Sequence, residues 1–474
     1  MSVAGLVAFG LSAVAQIDMN APLPMDTAYT IGRLENGITY YLRHNEEPKD
    51  RASFYIMRKA GALLEEDDQN GLAHFLEHMA FNGTKNFPGK GIISTLERYG
   101  VAFGRNINAY TAQNETVYNI SDVPTTDPAL LDTCLLVLHD WSYYLTLDPK
   151  EIDEERGVIT EEWRSRRDAR ARINEQTRPV LFKGSMYAVR DVIGSLDVIQ
   201  NFKPETIRDF YHKWYRTDLE AIAVVGDIDV AAMEARIKEM FSSIPAVENP
   251  AQKPEYFEVP EHEETYYVLA TDPEISATNI SIRTFARDTV PSDYKKTAGY
   301  MRASLLEGLY NSMVSNRIKE IMQKNDAPFL GASFGVSGFA PGYTGFSIST
   351  RPRPNEEARA LAAVMTEYER VRRYGFSDDE LKPIIANTLA GLENSYKRKD
   401  KISNESHIGD VKSHFLQDAN IISFDTYYEL MNEILPSITA SEVSALAPRL
   451  DSTRNRVFTI TCPATGEEYL NEAR

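Results

Sequence analysis

Within the stretch GLAHFLEHMAFNG, His74, Glu77 and His78 stand in the order His-x-x-Glu-His. On a helix, positions i and i+4 share a face. His74 and His78 therefore present two imidazoles to one cation, and Glu77 sets a carboxylate on the cation's open side. The order is that of the inverted zincin motif. Imidazole suits zinc, and a catalytic zinc takes three protein ligands and keeps one position for water. Binding lowers that water's pKa to about 7, and a neighbouring carboxylate can take its proton. The chemistry implied is metal-assisted hydrolysis. Two histidines on a helix can also be solvated surface groups or satisfied core groups. Here Leu72, Phe75, Leu76, Met79 and Phe81 predict a buried helix. Inside, two titratable histidines and a glutamate are costly without a cation or partners.

A third ligand must come from elsewhere. The segment IDEERGVITEEWRSRR (152–167) reads as a helix. Glu155 and Glu162 lie seven residues apart, on one face and two turns from each other. Val158 and Ile159 supply the apolar stripe between them. Either carboxylate can complete the set. Taken alone, the segment reads as a solvated acidic helix with arginine partners; the histidine pair changes that balance.

These residues need a scaffold of some size. The chain has 474 residues, 43% of them hydrophobic and 25% charged, which suits a globular protein of two or more domains. The net charge of −18 repels phosphate backbones and excludes nucleic acid as a natural partner. Cys134 and Cys462 sit far apart in apolar patterns and read as small buried hydrophobes. Val3–Val14 is an apolar run ending in Ala13-Val14-Ala15, with no Lys or Arg before it. We read residues 1–15 as an export signal, too short to anchor a membrane. No other stretch is long and apolar enough to cross a bilayer, so the expected product is exported, without a stable membrane anchor.

Strand patterns at Ile38–Leu42 and Ala52–Met57 lead into the histidine helix (71–82). A helix over 91–99 and a strand over 101–110 follow. Helices are expected over 128–144, 149–170 and 204–215, then a strand at Ala221–Val225 and a helix ending near Phe241. Residues 251–262 lie in a stretch rich in Pro, Glu and Gln and read as a linker. Residues 263–474 repeat the order: strands at TYYVLA and NISIRTF, a helix over 293–324, strands over 331–338 and 345–350, helices over 355–374 and 377–397, then a helix over 439–448 and a strand over 456–461. LDPKEIDEERGVITEEW echoes FSDDELKPIIANTLAGL, and KPETIRDFYHKWYRTDLEAIAVVGD echoes TASEVSALAPRLDSTRNRVFTITCP. The reading is an α+β chain of two similar layers, a metal-bearing domain over 17–250 and a second over 263–474.

GLAHFLEHMAFNGTKNFPG followed by EERGVITEEWR resembles the pitrilysin/insulinase family of zinc peptidases, most of all the N-terminal half of its long bacterial members of the PQQ-linked type. The likeness runs from about residue 25 to the end. It implies two similar domains, each a mixed or antiparallel sheet with helices on one face. It implies one zinc per chain on His74, His78 and Glu162, with Glu77 as general base and Glu155 orienting a histidine from behind the metal. It implies that GRNINAYTAQNETVYNI forms a sheet edge to which a peptide adds as a strand, with Asn108, Ala109 and Tyr110 in contact. The activity implied is endoproteolysis of unstructured peptides in a chamber closed like a clam shell. Active members also carry an Arg and a Tyr, seven apart, in a downstream domain. RIKEIMQKNDAPFLGASFG (317–335) has neither in place. The resemblance therefore implies a zinc-bearing half, completed by a C-terminal half, a partner subunit or a second copy. A non-catalytic partner subunit is the rival reading.

Overall fold

The computed structural model describes residues 18–447 and 454–464. The export signal expected over 1–15 and the strand's last neighbours beyond 464 lie outside them, as does Pro448 at the end of the expected 439–448 helix.

Two mixed sheets organise these residues. The first contains β1 (Thr30–Arg33), β2 (Thr39–His44), β3 (Arg51–Arg58), β4 (Ile107–Thr111), β5 (Thr116–Pro124) and β6 (Glu220–Gly226), in the order β1-β2-β6-β3-β5-β4. The second contains β7 (Tyr266–Asp272), β8 (Asn279–Arg287), β9 (Phe329–Ala340), β10 (Tyr343–Pro352) and β11 (Arg456–Pro463), in the order β7-β11-β8-β10-β9. In each sheet the first long strand pairs in parallel with the last, β2 with β6 and β7 with β11. The other pairings are antiparallel. Leaving aside β1, the two sheets share order and strand direction. The internal repeat is thus one of topology, as the echoed segments suggested. Residues 245–264, between the last helix of the first unit and β7, form neither helix nor strand.

Each sheet packs one face on its own helices. In the first unit these include the histidine helix Leu72–Met79, helix Pro128–Tyr143 and helix Pro149–Arg166. In the second they include Ala298–Met322, Glu357–Tyr374 and Asp378–Tyr396. Several boundaries differ from the sequence reading, each for a local reason. The helix expected over 149–170 stops at Arg166. Asp168 then caps a new helix, Ala169–Leu181, by accepting from Ala171 N (2.8 Å). The helix expected over 293–324 is broken where Thr297 turns extended and caps Ala298–Met322. The strand expected over 101–110 begins only at Ile107, after a turn at Gly104 with φ +78°.

Each sheet also meets a helix from the other unit on its second face. Helix Asn404–Gln417 lies across β3 and β6. Its Ile408, Val411 and Phe415 pack on Tyr41, Tyr55, Met57, Ala223 and Val225. Glu405 accepts from Ser53 Oγ (2.6 Å) and Tyr55 OH (2.6 Å), and Tyr41 OH meets His414 Nδ1 (2.8 Å). Burial on both faces explains why ASFYIM and AIAVV read as unbroken apolar runs. Conversely, helix Ala169–Leu181 of the first unit packs on β7 and β11. Arg172 forks onto Asp272 (2.6 and 2.9 Å) and reaches Glu274 (2.9 Å), and Gln176 bonds both backbone groups of Thr271. Helices 404–417 and 424–437 were absent from the sequence reading. Ser403 and Ser423, which cap them, were the available signals.

No helix of the described residues is long and apolar enough to cross a membrane.

Phe415 is buried edge-on against Tyr41 (6.5 Å between ring centres), with the Lys59 ammonium over its other face (4.6 Å). Truncating it leaves a cavity between the units. Phe415→Ala should cost about 3–5 kcal/mol, read as a lowered urea midpoint; an unchanged midpoint would mean that the helix is only lightly docked.

Candidate metal centre

The histidine helix is set by its start. Gly71 takes φ +105°, and a Cβ there would lie 2.9 Å from Gly194 Cα; one on Gly194 would lie 2.2 Å from Gly71 Cα. Two glycines thus let the chain cross in contact. The buried Glu65 carboxylate accepts from Gly71 N (2.9 Å) and Ala73 N (2.7 Å) and satisfies the first turn. Leu72, Phe75, Leu76 and Met79 are fully buried and fix the helix rotation. The helix Pro149–Arg166 starts at Asp148, which accepts from Lys150 N (2.8 Å), with Pro149 in the first turn.

The crossing of these helices brings His74, His78 and Glu162 together. One ligand atom from each lies within 4.8 Å of the others. Glu162 Oε2 stands 3.6 Å from His74 Nε2 and 3.2 Å from His78 Nε2. Donors about 2.0–2.1 Å from a tetrahedral zinc stand about 3.3 Å apart, so this set fits the ion. Arg166 pairs with the other oxygen of Glu162, leaving Oε2 to face the imidazoles.

Glu155 stands behind His78. Its Oε1 meets His78 Nδ1 at 2.8 Å, and its Oε2 accepts from Asn82 Nδ2 (2.6 Å). Lys90 donates to Asn82 Oδ1. This fixes the His78 ring with Nε2 toward the cluster, the carboxylate–histidine arrangement found behind metal ligands. His74 Nδ1 is buried and has no partner.

The electrostatics follow. Burial lowers His74 to about 4, with the neighbouring His78 adding to it. Burial also opposes the charge on His78, but hydrogen bonds to Glu155 and Glu162 outweigh it and raise the group to about 9. The hydrogen bond from His78, with His74 and Arg166 nearby, holds Glu162 down at about 2. Glu155 lies below the usual carboxylate range, because its bonds to His78 and Asn82 overcome burial. Metal-free, the cluster thus keeps its proton on His78, where a cation would replace it.

Glu77 lies on the same helix, 9% exposed, and accepts from Thr111 Oγ1 at 2.7 Å. Burial raises its pKa, more than the Thr111 bond and His78 lower it. Thr111 ends β4, the edge strand of the sheet. The segment read as one strand is in fact the hairpin β4–β5. Its closing bond, Ala112 N to Glu115 O (2.8 Å), and Ser121 N to Asn106 O (2.8 Å) set the phase of the ladder. Asn108 and Tyr110 turn their backbones toward β5, and Ala109 and Thr111 turn theirs outward. Side chains alternate as well: Ala109 packs on the core beneath the metal helices, and Tyr110 packs on the opposite face, under Lys412 (4.6 Å). Asn108 faces Gly104 O and Ile107 O (both 3.2 Å), to which its amide nitrogen donates once the amide is turned over. Of the three expected contacts, Ala109 alone has both its side chain on the Glu77 face and its backbone free at the edge.

Thr111, Asn82 and Arg166 escaped the sequence reading. Arg166 was legible, four residues after Glu162 on one helix. Thr111 and Asn82 lie in ordinary strand-end and turn positions, with no periodic signal.

The model of the insulinase family (peptidase family M16) matches residues 40–181, and that of the peptidase M16 inactive domain matches residues 201–388. The chain belongs to this family of zinc metallopeptidases. It is 31% identical over 424 residues to the "Probable zinc protease PqqL" of Escherichia coli (strain K12), covering 90% of this chain and 45% of that protein. It is likewise 31% identical to the "Zinc protease PQQL-like" of Arabidopsis thaliana, covering 88% and 40%. The chain therefore spans less than half the length of these curated relatives. The crystal structure of the first half of the periplasmic protease PqqL from Escherichia coli superposes with a TM-score of 0.85 at 28% identity, covering 96% of both chains.

If Glu155 orients His78, Glu155→Gln should weaken zinc binding by 10–100-fold in competition with a chelator. Glu161→Gln, on the same helix but exposed and paired with Arg164, should leave it unchanged. Equal affinities for the two variants would remove Glu155 from the centre.

Proposed function

We propose that this chain is a zinc-dependent endopeptidase unit that hydrolyses extended, unstructured peptides, with one zinc per chain on His74, His78 and Glu162. The observation that carries the reading is the convergence of two imidazoles and one carboxylate within 4.8 Å, beside a buried fourth group, Glu77. A zinc ion held there would polarise the scissile carbonyl and acidify the attacking water.

The chain's own residues supply the rest. Glu77 takes the proton from the attacking water and returns it to the departing amine. Its burial suits the task, since a carboxylate pushed up in pKa is a stronger base. Thr111 holds Oε2 and leaves Oε1 for that proton. A substrate strand would pair with the outward amide and carbonyl groups of Ala109 and Thr111, reading backbone more than sequence. Asn108 and Tyr110 then border that strand from the far side of the sheet. Glu155 serves as the group that aims His78. The relative named a periplasmic protease, together with the apolar run Val3–Val14, supports export.

A second reading is favoured by one observation: the chain matches the first half of a relative about twice its length. Arg317, in the stretch where the resemblance called for substrate-binding groups, is occupied by Glu380 (2.6 Å) and Glu367 (3.2 Å). On this reading the zinc-bearing half gains its remaining groups from a C-terminal half, a partner subunit or a second copy.

The test uses the full chain loaded with zinc, short unstructured peptides, and Glu77→Gln beside it. Cleavage that falls at least ~10²-fold in the variant, with zinc retained, is the expected result. No cleavage with one zinc bound per chain would favour the half-enzyme. Absence of bound zinc would sink both readings.

A further inference from the structure

A second cluster of donors stands apart from the centre described above. It lies at the ends of the parallel strands β2 and β6, whose register places His44 opposite Gly226. One ligand atom each from His44, Glu46 and Asp227 lies within 4.8 Å of the others. The histidine helix follows the other end of β3, beyond Arg58, whereas this cluster borders the β3 start at Arg51.

Three features separate it from an ordinary group of surface charges. First, the His44 tautomer is fixed. Nδ1 meets Ile228 O at 3.1 Å, and a carbonyl only accepts, so Nδ1 carries the proton. Nε2 then offers its lone pair to the space shared with Glu46 Oε1, 3.4 Å away. Two acceptors facing each other at that distance call for a proton or a cation between them. The spacing is that of two ligands on one tetrahedral edge, about 3.3 Å, and a backbone carbonyl behind the imidazole is a usual companion of a metal-bound histidine.

Second, the backbone holds the donors in place. Asn45 N donates to Gly226 O (2.8 Å), and Asp227 N donates to Arg51 O (2.9 Å). A Cβ on Gly226 would lie 2.3 Å from Ala52 Cα, so only glycine allows the crossing that sets Asp227 beside His44. Asp227 Oδ2 accepts from Asp50 N (3.0 Å), leaving Oδ1 free. Third, among the described residues neither Glu46 nor Asp227 has a lysine or arginine partner within 4.0 Å, whereas Asp122 and Glu47 nearby pair with Arg51 and Lys401.

We propose that His44, Glu46 and Asp227 form a second metal site, for a divalent transition cation of the zinc, cobalt and nickel class, independent of the centre at His74 and His78. One imidazole with two carboxylates suits these borderline ions better than calcium or magnesium, which take oxygen donors alone. Water fills the positions on the exposed side. The bound ion ties the end of β6 to the 44–50 loop. That loop receives the second unit, through Asn45 Nδ2 to Asn404 Oδ1 (2.7 Å) and Asn404 N to Glu47 O (2.9 Å). The ion therefore reinforces the seam between the two units.

The test uses the untagged full chain, first saturated with one equivalent of zinc and then titrated with Co²⁺ by calorimetry and visible absorption. One further saturable equivalent is expected, weaker than the first. His44→Ala should reduce its affinity by more than about tenfold, and Asp227→Asn should weaken it as well. His212→Ala, which removes an exposed histidine elsewhere, should leave it unchanged. His74→Ala/His78→Ala, titrated with Co²⁺ without added zinc, should keep this equivalent while losing the first, which separates the two sites. No second equivalent, or one indifferent to His44→Ala, would overturn the proposal. Because His44 is exposed at a strand end, a circular dichroism spectrum like the parent's is expected for its variant. Should that variant misfold, the weakening by Asp227→Asn decides.

Discussion

The centre depends on holding one imidazole from both sides. His78 meets Glu155 through Nδ1 and Glu162 through Nε2, so a single ring joins two helices and its orientation is settled before any cation arrives. Burial works against a charge there, and the two carboxylates prevail. The rest of the local structure serves this arrangement. The two glycines at 71 and 194 let the histidine helix start in contact with its neighbour, Glu65 closes its first turn, and Asn82 steadies Glu155 from behind. The electrostatic cost of gathering so many titratable groups is offset in part by specific partners, Glu155 for His78, Asn82 for Glu155 and Thr111 for Glu77.

Among its described residues, the second unit has the same topology without a matching set of two histidines and a glutamate. Its helix Ala298–Met322 lies between β8 and β9, as the histidine helix lies between β3 and β4. Its helix Asp378–Tyr396 stands where Pro149–Arg166 stands in the first. Aligned from their first residues, Glu155 and Glu162 correspond to Ile384 and Gly391. The contact between these helices is made instead by Arg317 and Glu380. Guanidinium has no lone pair to offer a cation, so a closed ion pair rather than an open ligand set joins these two helices. Arg317 holds Glu380 at about 2 in return.

Much of this was legible in the residues. The histidine helix, the glutamate pair and the repeated element order all followed from periodicity, because apolar stripes and ligand spacing are properties of single elements. The boundaries at Arg166, Thr297 and Ile107 were harder, since a cap or a glycine turn decides them and either can be overridden by neighbours. Thr111 and Asn82 were out of reach for another reason. Their roles come from the meeting of elements distant in sequence, and a threonine at a strand end or an asparagine in a turn carries no mark of it. The covering helix Asn404–Gln417 left a trace after all: unbroken apolar runs in β3 and β6 signalled burial on both faces, without saying by what.

That covering has an evolutionary reading. Each sheet lends a helix to the other, Ala169–Leu181 in one direction and Asn404–Gln417 in the other. A gene fragment ending in the linker between them would encode a sheet with one oily face bare. Duplication could build this chain from a smaller ancestor, but later recombination could not trade one half alone. The physical unit is the interlocked pair, since each half alone lacks the helix that packs on its sheet.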